Sequence, residues 1–239
     1  MKHIAKKSLG QNFLKSKPAL SKIVEAGEIM PSDTILEIGP GKGALTEKLL
    51  ERAGKVIAIE KDRDLVVFLR EKFAQEISTG KLDLREADIL DYQPVDNMQG
   101  DPLHVKIIAN IPYNITGAIF KKFLTSHVQP ERMVLLVQHE VAQRIVARDG
   151  KESILSISVK AYGSPKMIMK VPARFFSPSP KVDSAVLLVK DISRKFFTEN
   201  NLDENRFWEI VKKGFAHKRK KLSGNLKELF SVDNMQGDP

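Results

Sequence analysis

Residues 34–44 read TILEIGPGKGA, a short apolar run that ends in a glycine-rich turn and continues into helix-forming residues. Gly39 and Gly41 allow the backbone to turn tightly and to approach a ligand closely. Together with Ala44 they match the pattern G-x-G-x-x-A, and Glu60 follows about 20 residues later, where an acid that binds a ribose is expected. The stretch predicts a strand, a cofactor-binding turn and a helix, but the loop alone does not identify the cofactor.

Short apolar runs recur along the chain at the spacing expected for buried strands. Between them, residues 44–53, 63–74, 116–124 and 141–147 carry apolar side chains at spacings of three and four, as amphipathic helices do. Strands that alternate with helices predict a Rossmann-like α/β fold with a mainly parallel, seven-stranded sheet. The predicted strands are 34–38, 56–59, 82–87, 105–109, 134–137, 167–171 and 185–189.

The pattern changes after about residue 190, where aromatic residues appear among basic ones and no further strand-like run follows. We therefore predict a Rossmann-like domain over residues 1–190 and a small, basic, helical domain over residues 191–239. The octapeptide VDNMQGDP occurs at 95–102 and again, unchanged, at 232–239. The terminal copy supports no conclusion about the native C-terminus. A truncated second domain is one interpretation of this sequence.

The overall composition excludes several classes of protein. The chain contains no cysteine, its five histidines show no metal-ligand spacing, and no apolar run approaches the roughly 20 residues of a membrane-spanning helix. We expect a cytoplasmic protein with no metal and no membrane contact. The net charge of +9, with seven Lys and Arg residues against one acid between positions 206 and 221, favours a polyanionic partner. A solvated helix face is the alternative interpretation of this basic cluster.

Three features distinguish a methyltransferase from a nicotinamide oxidoreductase. Glu37 precedes the first glycine of the loop and suits the ammonium group of a methionine better than a pyrophosphate, which a carboxylate repels. Asp88 and Ile89 end the third predicted strand, where they can hold the amine and the ring face of an adenine. Residues 110–113, NIPY, end the fourth. The ends of parallel strands meet at one edge of a sheet. Ordinary interpretations are also open: Glu60 as a helix-cap neighbour, Asp88 as a loop acid, and Glu37, the weakest of the three, as a strand-end residue.

Residues 110–113 predict the chemistry of the target site. The NH2 group of a nucleobase is a poor nucleophile because its lone pair is delocalised into the ring. The side-chain oxygen of Asn110 and a main-chain carbonyl beside Pro112 can accept its two hydrogens and leave the lone pair facing a methyl donor. Tyr113 offers a flat face on which a flipped adenine can stack.

The motifs NIPYNI at 110–115, QNFL at 11–14 and FFSPSPKVDSAV at 175–186 resemble the KsgA and Erm family of rRNA adenine N6-dimethyltransferases. The resemblance runs from about Gln11 to Lys227, with the motifs in the expected order. It implies S-adenosylmethionine as the cofactor and methyl donor. It also implies that Tyr113 and Phe176 enclose the target adenine between them, although Phe175 or Phe176 can instead be a core aromatic.

The resemblance implies a role for each further site residue. An N-terminal segment with Gln11, Asn12 and Leu14 closes over the cofactor, and Gly39 and Gly41 form its loop. Glu60 binds the ribose hydroxyls, Asp88 and Ile89 hold the cofactor adenine, and Asn110 contacts both cofactor and target base. The catalytic set is Asn110, Pro112, Tyr113 and Phe176.

Within this family, the KsgA branch modifies two adjacent adenines in the 3′-terminal hairpin of small-subunit rRNA, and the Erm branch modifies one large-subunit adenine. Residues 37–41, 138–145 and 215–222 resemble the KsgA branch, whose basic tail docks on rRNA; here that tail contributes Lys218, Arg219, Lys220 and Lys221. This implies a monomer that acts on small-subunit rRNA within an assembly intermediate. Two features depart from the branch: the usual arginine doublet is Lys218-Arg219-Lys220, and the chain ends early. The alternatives are an Erm-type enzyme and a non-catalytic assembly factor.

Overall fold

The computed structural model describes residues 5–6, 9–92, 105–147, 150–217 and 219–229. Its strands are β1 Phe13–Leu14, β2 Thr34–Ile38, β3 Lys55–Glu60, β4 Leu82–Glu86, β5 Val105–Asn110, β6 Arg132–Gln138, β7 Ser164–Val171, β8 Phe176–Ser177 and β9 Ser184–Lys190. Its helices are α1 Lys17–Gly27, α2 Ala44–Leu50, α3 Arg63–Lys72, α4 Ala74–Ser78, α5 Thr116–Leu124, α6 His139–Val146, α7 Ile154–Lys160, α8 Lys195–Glu199, α9 Glu204–Gly214 and α10 Leu222–Leu226.

Seven of these strands form one sheet in the order β4-β3-β2-β5-β6-β9-β7, which confirms the predicted Rossmann-like α/β fold. Six of its strands run in the same direction, and β9 runs antiparallel between β6 and β7. The chain leaves β2 towards β3 and β4 on one side and later returns to β5 and β6 on the other. Such a reversal of strand order opens a crevice at the carboxyl ends of the strands, where ligands bind in α/β sheets.

Both faces of the sheet are covered because the central strands are apolar on both sides. On β2, Leu36 and Ile38 belong to one core cluster, and Ile35 belongs to the other. Helices α5, α6 and α7 contribute to the first cluster, and α1, α2 and α3 contribute to the second. The sheet is therefore held rigidly between two helical layers, which fixes the relative positions of its strand ends.

Helix α1 was not predicted from the sequence, and it positions the segment that precedes it. The Ser16 hydroxyl caps the helix by accepting a hydrogen bond from the Ala19 N–H at 3.3 Å. Near its other end, the buried Lys106 side chain donates to the Glu28 carbonyl at 2.8 Å and pairs with Asp33 at 2.7 Å. These contacts tie α1 to β5, so the residues before Ser16 lie across the carboxyl edge of the sheet.

The helices that follow β9 agree with the predicted helical region, and they pack on the α/β part of the chain. Trp208 of α9 stacks on Tyr162 with ring centroids 6.1 Å apart and donates its Nε1–H to the Tyr162 hydroxyl at 3.0 Å. Arg194 donates to the carbonyls of Thr125 and Ser126 at 2.9 and 3.0 Å. The aromatic residues beyond 190 therefore extend the main core, and the domain boundary at residue 190 remains a prediction.

Candidate active site

A cavity of about 740 Å³ opens at the carboxyl ends of β2, β3 and β5 and of the segment that follows β4. Its walls come from the N-terminal segment, the glycine-rich loop and the three strand ends that carry Glu60, Asp88 and Asn110. The structure brings most of the predicted site residues together in this wall: Gln11, Asn12, Leu14, Gly39, Gly41, Glu60, Asp88, Ile89, Asn110, Pro112 and Tyr113. Their individual roles remain predictions, but one cavity can serve all of them.

Glu60 holds the glycine-rich loop by hydrogen bonds to its backbone. Its carboxylate accepts hydrogen bonds from the Gly41 N–H at 3.1 Å and the Asp62 N–H at 2.9 Å. Gly41 has a φ of 60°, and a Cβ added there would lie 2.9 Å from the Phe13 ring, so this position requires glycine on both counts. Burial raises the pKa of Glu60. The carboxylate faces the cavity with acceptor capacity that suits the hydroxyls of a ribose.

Glu37 is the most deeply buried acid of the cavity wall. Its side chain is 1 % exposed, and its Oε2 has no hydrogen-bond partner among the described residues. Burial raises the pKa of Glu37 to about 8, with a further contribution from the nearby Glu60. A buried carboxyl oxygen without a partner costs free energy, and a cationic ligand group removes that cost. This is the environment expected for a side chain that receives the ammonium group of a methionine.

Asp88 and Ile89 lie at the third strand end in the predicted order. The Lys61 ammonium donates to Asp88 at 2.7 Å, and this hydrogen bond lowers the pKa of the carboxyl group. Its other oxygen accepts from the Leu90 N–H at 2.9 Å. Ile89 is buried at 5 % exposure beside it. An ionised acceptor next to an apolar face suits the amine and the ring of an adenine.

The N-terminal segment crosses the cavity and is fastened at its start by ion pairs. Lys6 pairs with Asp62 at 2.6 Å and Asp64 at 2.7 Å, and the Gln11 amide donates to Asp62 at 2.7 Å. We call residues 9–15 the lid. Sequence reasoning assigned Gln11 to the cofactor alone, whereas its side chain also fastens the lid. Asp62, the N-cap of α3, was missed because it pairs with residues more than 50 positions away.

Asn110 links the lid to the target-base motif. Its Nδ2 donates to the Asn12 carbonyl at 3.1 Å, so its Oδ1 is the atom available to accept an N–H from a substrate. The Pro112 carbonyl accepts from the Ile115 N–H at 3.3 Å and begins the turn that carries Tyr113. The Tyr113 ring lines the cavity, and its hydroxyl is 2.6 Å from the Ser184 hydroxyl. Asparagine and tyrosine therefore reach the same cavity from one strand end.

Phe176 is the predicted site residue that the structure does not bring to the cavity. It lies in β8, is 3 % exposed and packs in the core with Leu14, which is its partner across the β1–β8 pair. The neighbouring Phe175 is half-buried against the Arg174 guanidinium. Of these two aromatics, Phe176 is the core residue in this structure, so its stacking on a target base requires the side chain to rotate out of the core.

The basic tail begins after α9. Arg219, Lys220 and Lys221 are exposed, and Lys218 lies outside the described residues. Within the described ranges, no group of three or more His, Asp or Glu side chains could hold a metal ion. No described helix is long and apolar enough to cross a bilayer.

Comparison with known proteins adds a family assignment to this geometry. The family model "Ribosomal RNA adenine dimethylase" matches residues 2–238. The chain is 42% identical over 228 residues to "Ribosomal RNA small subunit methyltransferase A" of Dehalococcoides mccartyi strain CBDB1, covering 95% of this chain and 76% of that protein. It is 43% identical to the protein of the same name from Prochlorococcus marinus strain NATL1A, covering 94% and 78%.

Solved structures of two methyltransferases are also similar to this chain. A dimethyladenosine transferase from Plasmodium falciparum matches with a TM-score of 0.76 and 31% identity over 93% of this chain and 77% of that one. The 23S rRNA methyltransferase ErmE matches with a TM-score of 0.73 and 28% identity over 91% of this chain and 84% of that one.

Proposed function

The chain belongs to the ribosomal RNA adenine dimethylase family, and from this premise we propose how its cavity works on a base of small-subunit rRNA. It is an S-adenosylmethionine-dependent rRNA adenine N6,N6-dimethyltransferase. The observation that carries the proposal is the shared cavity wall, in which Glu60 and Asp88 stand with Asn110 and Tyr113. One open cavity thus offers acceptors that suit a nucleoside cofactor and an acceptor that suits an exocyclic amine.

S-adenosylmethionine supplies the methyl group as an electrophile on its sulfonium. The Asn110 Oδ1 accepts one N6–H of the target adenine, which draws the nitrogen lone pair out of conjugation and points it at the methyl group. Bound S-adenosylmethionine would transfer this methyl group to N6 and would keep the S–CH3 bonding pair on its sulfur. The N6 proton becomes acidic in this step and passes to water, so the site needs no strong general base. A second transfer to the same nitrogen gives the dimethylated base.

Tyr113 provides the face against which the flipped adenine stacks in this proposal. Its ring lines the cavity next to Asn110, and aromatic stacking of a base is worth about 1 to 3 kcal/mol. Phe176 completes the enclosure only after leaving its core position opposite Leu14. We therefore assign the ground-state stacking contact to Tyr113 alone.

The target that we propose is the pair of adjacent adenines in the 3′-terminal hairpin of small-subunit rRNA, presented in the cytoplasm by an assembly intermediate to a monomeric enzyme. The net charge of +9 favours such a polyanion. We propose that the exposed Arg219, Lys220 and Lys221 contact its phosphates. The sequence adds Lys218 to this set, which lies outside the described residues.

The experiment that tests this function is methyl transfer from labelled S-adenosylmethionine to purified ribosomal subunits that lack the modification, followed by nucleoside analysis. Dimethyladenosine in the small subunit is the expected product. Label confined to the large subunit would assign the chain to Erm-type activity instead. No label in either subunit, with rRNA binding intact, would leave a non-catalytic assembly role.

A further inference from the structure

The hydroxyl of Ser184 holds the hydroxyl of Tyr113 at 2.6 Å, although the two residues are 71 positions apart. Ser184 is 0 % exposed and is the first residue of β9. It is held from both sides, because it pairs with Gln138 of β6 and with Val171 of β7. The serine is thus a rigid point of the sheet, and its hydroxyl contacts the Tyr113 side chain from behind the cavity wall.

A tyrosine that is fixed only at its Cα can turn about two side-chain bonds. A hydrogen bond at the far end of the ring removes the rotation about the Cα–Cβ bond, so the position of the ring is set before a base arrives. The Tyr113 side chain is half-buried, and burial raises the pKa of its hydroxyl, so the hydroxyl stays protonated and shares a hydrogen with Ser184. Losing either partner leaves a buried hydroxyl unsatisfied and the ring free to tilt.

Asp183, the residue before Ser184, makes hydrogen bonds to the turn that precedes Phe176 and to the start of α6. The Asp183 side-chain carboxylate accepts a hydrogen bond from the Ala173 N–H at 2.9 Å, and the main-chain carbonyl of Asp183 accepts one from the His139 N–H at 2.9 Å. Ala173 begins the short turn that leads into Phe176. Asp183 therefore fixes the backbone of the turn before Phe176, and the adjacent Ser184 holds the ring of Tyr113.

We propose that Ser184 is a positioning residue for the methyl transfer: its hydroxyl holds the far end of the Tyr113 ring in place so that a flipped adenine stacks with N6 at Asn110. Ser184 touches neither substrate nor cofactor in this role. The inference rests on the proposed function, because it requires Tyr113 to be the face on which the target base stacks. Neither composition nor motif spacing separates this role from that of an ordinary buried serine.

The test is a double-mutant cycle with Ser184→Ala, Tyr113→Phe and the double variant, assayed for methyl transfer to small subunits. Each single change removes the same hydrogen bond and should lower kcat about fivefold, while the KM for the subunit and the Kd for S-adenosylmethionine stay within about twofold. The double variant should lose no more than either single one. Tyr113→Phe retains the ring and leaves Ser184 in place, so it reports on the bond even if Ser184→Ala unfolds.

Ser156→Ala is the matched control. Ser156 is also 0 % exposed, and its hydroxyl takes part in the capping box of α7, away from the cavity. This variant should lose thermal stability but keep its kcat at temperatures where it is folded. A serine whose role is merely structural would behave in the same way at position 184, with a lower Tm and an unchanged kcat, and that result would overturn the inference.

Tyr113→Ala separates failure of the inference from failure of the proposed function. If Tyr113→Ala transfers methyl groups at a near-normal rate, the base does not stack on this ring, and both the stacking role and the inference are wrong. If Tyr113→Ala loses activity more than tenfold while Ser184→Ala and Tyr113→Phe retain it, the stacking role stands and the inference is overturned. Additive losses in the double variant would likewise show that the two residues act independently.

Discussion

Replacing Glu37 with glutamine should stabilise the ligand-free protein, and the gain should grow with pH. The Glu37 carboxyl is 1 % exposed, and burial raises its pKa from its usual value of 4.5 to about 8. A raised pKa in the folded state means that folding binds a proton. The stabilisation from that proton is fully present below pH 4.5 and is lost as the pH rises through about 8. Glutamine mimics the protonated form at every pH and loses nothing.

The size of the effect follows from linkage. Each pH unit between the two pKa values is worth about 1.4 kcal/mol of unfolding free energy. From pH 5.5 to 7.5, the advantage of Glu37→Gln over the wild type should therefore grow by about 2 to 3 kcal/mol. For a chain of this length, that corresponds to about 5 to 10 °C in Tm. Glu60, whose pKa is also raised by burial, is present in both proteins, and its contribution largely cancels in the comparison.

The assay is urea unfolding of both proteins at several pH values without cofactor, with Glu47→Gln as the control. Glu47 also lines the cavity, but half of its side chain is exposed to water, so its replacement removes no buried acid. In the same samples, Glu37→Gln should bind S-adenosylmethionine more weakly, because the amide cannot neutralise the methionine ammonium. A stability difference that stays flat from pH 5.5 to 7.5 would refute the reasoning about Glu37.

Three further outcomes are expected. Asn110→Ala should fold normally and lose about 10- to 1,000-fold in methyl transfer, because positioning of N6 supplies a few kcal/mol; near-normal turnover in a single-turnover assay would reject that role. Asp62→Asn should release bound S-adenosylhomocysteine several-fold faster in stopped-flow experiments at low salt. High salt should narrow this difference in release rate, since the Lys6 ammonium that pairs with Asp62 before the lid begins is partly exposed and salt screens its charge. A difference that persists unchanged in high salt would count against an ionic contact that holds the lid. Replacing all three exposed basic residues of the tail, Arg219, Lys220 and Lys221, with neutral ones should lower the slope of log rRNA affinity against log salt concentration by about 2 to 3. An unchanged slope would identify the tail as a solvated surface that does not bind rRNA.

The fold and the cavity floor were predictable because both depend on local patterns. Apolar runs separated by helical segments specify a parallel sheet. The carboxyl ends of its strands lie at one edge regardless of the length and sequence of the loops. That geometry explains why Glu60, Asp88 and Asn110 meet in one cavity although they are spread over 50 positions. Helix α1 was missed, although Ser16 and Pro18 at its start are signals of a helix N-terminus.

The orientation of single side chains depended on contacts that no local pattern specifies. Phe176 faces the core because β8 pairs with β1 in the register that sets Leu14 opposite it, and a shift of one residue would turn it to the other face. The same holds for Gln11, whose amide is directed by Asp62, and for Ser184, whose role depends on a tyrosine 71 positions away. Pairings across such distances arise only when the sheet has formed.

The lid connects the sites that the sequence presents as separate motifs. The Phe13 ring lies against Gly41 of the cofactor loop, the Asn12 carbonyl holds the Asn110 amide, and Leu14 lies opposite Phe176. A displacement of the lid therefore affects Gly41, Asn110 and Phe176 at the same time. Because interactions within one such network are not additive, loss of activity after a lid substitution cannot be assigned to cofactor binding alone. Separating the contributions requires cofactor affinity and kcat to be measured on the same variant, because a weaker contact between the lid and the glycine-rich loop should change the affinity, whereas a displaced Asn110 should change kcat.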